Sequence, residues 1–135
     1  MSVLVDSDVW SELLRKVKGE LSPQVKVLTT LLDEAEVGVM LIGAVRQEVL
    51  SGWRERQQFE RVRELLRDFP DQDVGTAEYE LAAEYFNTCR SKGIQGSHTD
   101  FLICACSAAW NVPILTRDQD YLRYAEHVPV RLYAP

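Results

Sequence analysis

Six acidic side chains stand where apolar runs end or begin. In "SVLVDSDVW" the run Val3-Leu4-Val5 delivers Asp6 and Asp8. Glu48 lies in "VRQEVLSG", beside Ala44, Val45 and Val49. Asp100 opens the apolar stretch "DFLICACSAA", and Asp118 and Asp120 follow another in "LTRDQDYL". Carboxylates gathered at one place repel and raise one another's pKa unless a cation lies among them. An all-oxygen donor set suits a hard ion, Mg²⁺ with Mn²⁺ as a substitute. No His/Cys set stands at zinc-ligand spacing. A carboxylate-held Mg²⁺ with open positions is suited to phosphoryl chemistry. Each acid also has a local reading. Asp100 suits a first helical turn, Glu48 a salt bridge to Arg46 or Arg54, and Asp118 a turn.

The elements that must position these acids are short. Residues 2–6 read as a buried strand, followed by a helix from about Asp8 to Val17 that ends near Gly19. Ser22 is a candidate N-cap with Pro23 at the first helical position. Residues 37–42 ("VGVMLI") form a second strand candidate, and "GAVRQEVLSGW" a helix ending near Gly52. "RERQQFERVRELLRDF" is amphipathic, with Phe59, Val62, Leu65, Leu66 and Phe69 on its inner stripe and Pro70 as its stop. "DQDV" is a short strand or a connection. Thr76 is the expected N-cap of the next helix. "HTDFLICACSAAWN" is a helix apolar nearly all round, hence central. "VPILT" and "VPVRLY" are the third and fourth strands. Strands alternating with helices predict an α/β domain with a parallel sheet, whose ligands sit at the carboxyl ends of the strands.

The chain has 135 residues, 46% of them hydrophobic and 27% charged. That suits a single domain, 1–135, with a real core. The net charge is −6, which argues against a protein that coats nucleic acid by bulk electrostatics. It does not exclude a nuclease, because acids around a metal are compensated locally. The three cysteines are an odd count without CxxC, so buried thiols in a reducing, cytoplasmic setting are expected. Neither a signal peptide nor a membrane span is expected. Trp10, Trp53 and Trp110 read as core or interface. His98 and His127 begin no catalytic triad, though His98 is near enough to Asp100 to line a cleft.

"VLVDSDVW", "VRQEVLSG", "HTDFLICACSAAWNVPILTRDQDYLRY" and a closing strand resemble, in order and spacing, a PIN-domain ribonuclease. Among these the chain is most similar to VapC-type toxins of toxin–antitoxin pairs. The resemblance implies a PIN-like α/β fold, a mostly parallel sheet of about four to five short strands flanked by helices. It implies a metal site and catalytic set of Asp6, Glu48, Asp100 and Asp118, with Ser7 and Thr116 as supporting hydroxyls and Asp120 as an adjacent acid. Asp8 stands where relatives more often carry Ser or Asn. Tyr121 replaces the usual Phe, and Gly43 and Cys104 are variants of positions often filled by Ser and Ala. The implied activity is Mg²⁺-dependent endonucleolytic cleavage of RNA by water, leaving 5′-phosphates.

Arg117, Arg46 and Arg15, with Lys16, Arg54 and Arg56, are candidate phosphate contacts. Their other reading is solvated helix faces. The resemblance further implies a homodimer and a small VapB-like antitoxin. "VKVLTTLLDEAE" and "FERVRELLRDF" are candidates for its groove. Two rival readings stand beside this one. The D-x-D of Asp6 and Asp8 resembles haloacid dehalogenase-type phosphatases, with Asp6 as nucleophile and Asp8 as general acid. However, Trp10 and the "TRDQD" ending depart from that pattern. The third reading is a non-catalytic binding module that keeps the PIN fold.

Overall fold

The computed structural model describes residues 1–15, 19–34 and 36–134. Strand β1 (Ser2–Val5) is β-branched and apolar, and Val3, Leu4 and Val5 are fully buried. A strand buried on both faces belongs inside a parallel sheet. Strand β2 (Gly38–Met40) pairs with it on one side and β3 (Ile114–Leu115) on the other, both parallel, in the order β2-β1-β3. The chain passes from β1 to opposite sides of the sheet, so the switch point lies at the carboxyl end of β1, where Asp6 begins the next element.

Helix α1 (Ser7–Leu14) starts one residue earlier than its pattern predicts, because Asp6 rather than Asp8 caps it. The expected end at Val17 lies outside the described residues, as does Lys16. Helix α2 (Pro23–Asp33) has the predicted Ser22 cap, whose Oγ accepts from the Val25 N–H at 3.2 Å. Helix α3 (Gly43–Ser51) and helix α4 (Arg56–Leu66) follow β2. In α4, Val62 and Leu66 are buried, but Leu65 is 48% exposed and falls off the predicted inner stripe. Leu65 directly precedes Leu66, and adjacent helical positions lie about 100° apart, so both cannot face the core.

Helices α5 (Thr76–Ser91) and α6 (His98–Trp110) pack together. Thr76 is the first helical residue of α5 and Gly75 its cap, without a side-chain bond, a shift of one residue from expectation. Every residue from Phe101 to Ser107 of α6 is buried, in keeping with its all-round apolar sequence. Helix α7 (Asp120–Tyr124) is one short turn and a half. The described sheet has three strands rather than four or five. "DQDV" and "VPVRLY" contribute only single parallel bridges, Leu41 with Asp71 and Ile114 with Leu132. Pro70 stands just before the first of these segments and Pro129 inside the second, both without an N–H, and β3 offers only two residues to pair with.

One hydrophobic cluster joins these elements, with Trp10, Phe101, Tyr121 and Tyr124 among its largest buried side chains. Trp10 meets the Phe69 ring edge-on at 5.1 Å. All three cysteines are buried and unpaired. Burial pushes the Cys106 thiol up to about 12 and raises Cys89 and Cys104 as well, so none is a reactive thiolate near neutral pH. No described helix is long and apolar enough to cross a membrane.

Candidate active site

The carboxyl ends of β1 and β3 meet at Asp6, which is only 4% exposed. Its Oδ1 accepts the Ser7 N–H at 2.7 Å, the bond that caps α1. Its Oδ2 accepts the Thr116 hydroxyl at 2.8 Å. Thr116 follows β3, and its Oγ1 in turn accepts the Asp118 N–H at 3.0 Å. The two strands therefore clamp one carboxylate from two directions. Burial and, next, the nearby Asp8 push Asp6 up to about 7, while the bonds from Thr116 and Ser7 pull it down and Asp100 adds a smaller upward push. Replacing Thr116 with Val removes one donor and orphans the Asp118 N–H. The expected loss is about 1–3 kcal/mol in chemical denaturation, with Asp6 titrating still higher by NMR.

The other acids arrive from separate segments. Ser7 Oγ lies 3.4 Å from Asp6 Oδ1 and donates to Glu48 Oε1, so α3 joins the site through one hydroxyl. Asp8 turns toward the loop after β3, its two oxygens 3.3 and 3.2 Å from the Arg117 N–H. Burial raises its pKa, against that N–H and the Arg117 charge, and Asp118 pushes it up further. Asp118 Oδ1 accepts the Asp120 N–H at 2.9 Å, which starts α7. Asp120 itself is exposed.

Asp100, in the first turn of α6 after the Ser97 cap, is held by two hydroxyls from α7. Tyr124 donates to Oδ2 at 2.9 Å and Tyr121 to Oδ1 at 3.4 Å. Burial raises the Asp100 pKa, the tyrosine bond lowers it, and Asp118 raises it. These tyrosines escape a reading of the sequence that follows acids alone. Their signal is the i, i+3 spacing in "DYLRY", which puts both hydroxyls on one face.

Asp6, Asp8, Asp100 and Asp118 thus lie within electrostatic reach of one another, and Glu48 is linked through Ser7. Among the described residues no three acids converge closely enough to define a complete metal site. Glu48 accepts from the Ser7 hydroxyl and Asp100 from the Tyr124 hydroxyl. The donor chemistry still fits a hard cation: every nearby ligand atom is oxygen, and the buried Asp6 is a carboxylate short of positive charge.

The basic candidates divide. Arg117 pairs with Glu12 at 2.7 Å, leaving its side chain 44% exposed beside Asp8. Arg46 is consumed internally: it pairs with Asp71 at 2.8 Å and donates to the carbonyls of Leu66 and Phe69. It ties α3 to the end of α4 and offers little to a substrate. Arg56 pairs with Glu60 on α4. Arg15 stacks over the Trp53 ring at 4.7 Å. His98 stacks on Phe86 at 4.8 Å, in an apolar cavity of about 390 Å³ between α5 and α6 that none of the acids lines.

The PIN domain family model matches residues 3–127. No curated protein matches the chain. Solved structures resemble it along nearly the whole length, among them the following three. VapBC2 from Rickettsia felis, bound to a DNA fragment from its promoter, aligns with a TM-score of 0.76 at 16% identity, covering 98% of each chain. FitAcB from Neisseria gonorrhoeae aligns at 0.73 and 19%, covering 98% of this chain and 97% of that one. VapBC-1 from nontypeable Haemophilus influenzae aligns at 0.71 and 13%, with coverage of 98% and 97%. At these identities the likeness shows the fold. The family match spans almost the whole sequence, and with it the chain belongs to the PIN domain family.

Proposed function

We propose that the protein is a Mg²⁺-dependent endoribonuclease, the toxin of a type II VapBC-like pair. The observation that carries this reading is the acid cluster: carboxylates from separate chain segments lie within electrostatic reach of one another at the sheet's switch point, around a buried Asp6 pushed up to about 7. Asp6, Asp100 and Asp118 would hold the ion, with Glu48 reaching it past Ser7. A bound Mg²⁺ supplies an acidified water and neutralises charge on the phosphate. The chain's own residues do the rest. Thr116 and Ser7 fix the orientation of Asp6. Tyr124 and Tyr121 fix that of Asp100. Arg117, half exposed beside Asp8, meets the phosphate backbone. Asp8 aligns the Arg117 loop through its N–H rather than capping α1.

The phosphatase reading needs Asp6 as a free nucleophile and Asp8 as its acid partner. Both oxygens of Asp6 are tied, Asp8 faces Arg117, and the chain is a PIN domain, so that reading falls away. A binding module without catalysis stays as an outcome of the test. Leu32 of α2 and Leu65 of α4, 38% and 48% exposed, are surfaces an antitoxin helix would cover. Co-purification with the product of the neighbouring reading frame tests that partner. For the activity, RNA ends are mapped after induced expression of the wild type and of Asp6→Asn. New 5′-phosphate ends with the wild type alone support a ribonuclease, and identical end maps refute it.

A further inference from the structure

Next to the acid cluster, the surface holds two positive charges that no described carboxylate neutralises. A cavity of about 490 Å³ begins at Asp8 and Arg117 and is lined by Glu12, Glu20 and Arg15. Two of its acids are already matched: Glu12 pairs with Arg117 at 2.7 Å and Glu20 with Lys26 at 3.0 Å. Arg15 pairs with no described acid. It also lines a second cavity, of about 590 Å³, together with Trp53, Glu55, Gln57, Gln58 and Arg61. Arg61 likewise pairs with no described acid. In a chain of net charge −6, a cavity lined by two guanidinium groups and two amides against one carboxylate, Glu55, is a local reversal of sign.

Arg15 is held in place rather than loose. Its guanidinium lies 4.7 Å from the centre of the Trp53 ring, and its Nη2 donates to the Gly52 carbonyl at 3.0 Å. A Cβ on Gly52 would come within 2.8 Å of that nitrogen, so the absence of a side chain there makes the seat possible. A guanidinium held over an aromatic ring keeps its outer face and remaining N–H groups for another partner. Planar bases stack on such faces, and phosphates take such N–H groups.

We propose that Arg15, Trp53, Gln57, Gln58 and Arg61 form a subsite for the single-stranded RNA flanking the cut, with Arg15 as the hinge between this subsite and the acid cluster. Arg15 and Arg61 hold two phosphates of the strand. The amides of Gln57 and Gln58, on the first turn of α4, meet the edges of the base stacked on Arg15. This subsite rests on the ribonuclease reading above and adds to it the place where the strand runs.

The experiment uses the full chain carrying Asp6→Asn and a fluorescein-labelled single-stranded RNA of mixed sequence. Anisotropy is followed from about 50 to 200 mM salt; for a single strand the logarithm of affinity falls by roughly 0.7 per tenfold rise in salt for each neutralised phosphate. Adding Arg61→Gln should weaken binding about fivefold at the low-salt end and make the slope shallower by about 0.7. Arg15→Gln should do the same, and the pair together should remove about 1.4 from the slope. A merely structural role would lower the melting temperature without changing the slope. An unchanged slope in both single variants, or no binding by the parent, overturns the subsite. Cleavage by the chain with native Asp6 and Arg61→Gln separates the two claims. Cleavage that persists while the slopes stay unchanged leaves the nuclease and removes the subsite. Slopes that change while the native chain cuts no RNA leave a binding site and remove the nuclease.

Discussion

Asp6→Asn should abolish RNA cleavage and, in metal-free buffer at pH 8, make the protein more stable than the wild type. The two effects share one cause. Asp6 is buried at the meeting of two strands and pushed up to about 7, against an ordinary value of 3.8. Between about pH 4 and pH 7 the unfolded chain has given up this proton while the native chain still holds it. Native stability therefore falls as pH rises through that window, and above it the penalty is complete. The shift corresponds to at most about 4 kcal/mol. Asn carries no charge and keeps an oxygen for the Ser7 N–H, and the Thr116 hydroxyl can turn to accept from its amide. Thermal denaturation in chelator should show the variant melting about 5 °C or more above the wild type at pH 8, with the gap closing near pH 4. A melting point equal to or below that of the wild type at pH 8 would show that Asp6 is not held at a cost. Cleavage should drop on the order of a hundredfold or more, as when a charge-stabilising group is removed from a site.

Gly96→Ala should damage the site from a loop outside it. A Cβ at Gly96 would overlap the Tyr124 hydroxyl and fall 2.8 Å from its Cζ and 2.9 Å from Phe101 Cε2. Tyr124 is fully buried and packed against Phe101 and Tyr121, with ring centres 4.8 and 5.2 Å away, so it has little room to yield. Overpacking of this kind costs about 1–3 kcal/mol. The displaced hydroxyl also leaves Asp100. Groups that orient a ligand carboxylate typically change metal affinity by about ten- to a hundredfold. Chemical denaturation and calorimetric titration with Mn²⁺ read the two effects separately. Tyr124→Phe, which deletes the hydroxyl without a clash, should retain most of the stability and lose Mn²⁺ affinity. Wild-type Mn²⁺ affinity in both variants would mean that Tyr124 does not position Asp100.

The sequence speaks most clearly where structure is local. The apolar run ending at Asp6, the Ser22-Pro23 start of α2 and the all-apolar face of α6 are set by neighbours a few residues away. The acids could be named from their places beside such runs. What joins them could not. Thr116 reaches Asp6 across 110 positions, Ser7 reaches Glu48 across 41, and Tyr124 reaches Asp100 across 24. No periodicity encodes these bonds. Asp8 looked like an equal partner of Asp6, yet α1 turns it toward the Arg117 loop, because successive helical side chains diverge. Arg46 looked like a free cation, but the close of α4 brings two carbonyls and Asp71 to it. The segment "VPVRLY" forms one bridge rather than a full strand, because its apolar pattern says nothing of how short its partner β3 is.

The Asp6 cluster is proposed to cut RNA with a bound divalent ion. The most direct measurement incubates the purified protein with single-stranded RNA in Mg²⁺, in Mg²⁺ with excess chelator, and as Asp6→Asn in Mg²⁺. Metal-dependent cleavage at Asp6 should give 5′-phosphate fragments in the first reaction alone, restored on adding Mn²⁺ to the chelated one. Equal cleavage in all three, or none in the first by a folded protein that binds the same RNA, would contradict it.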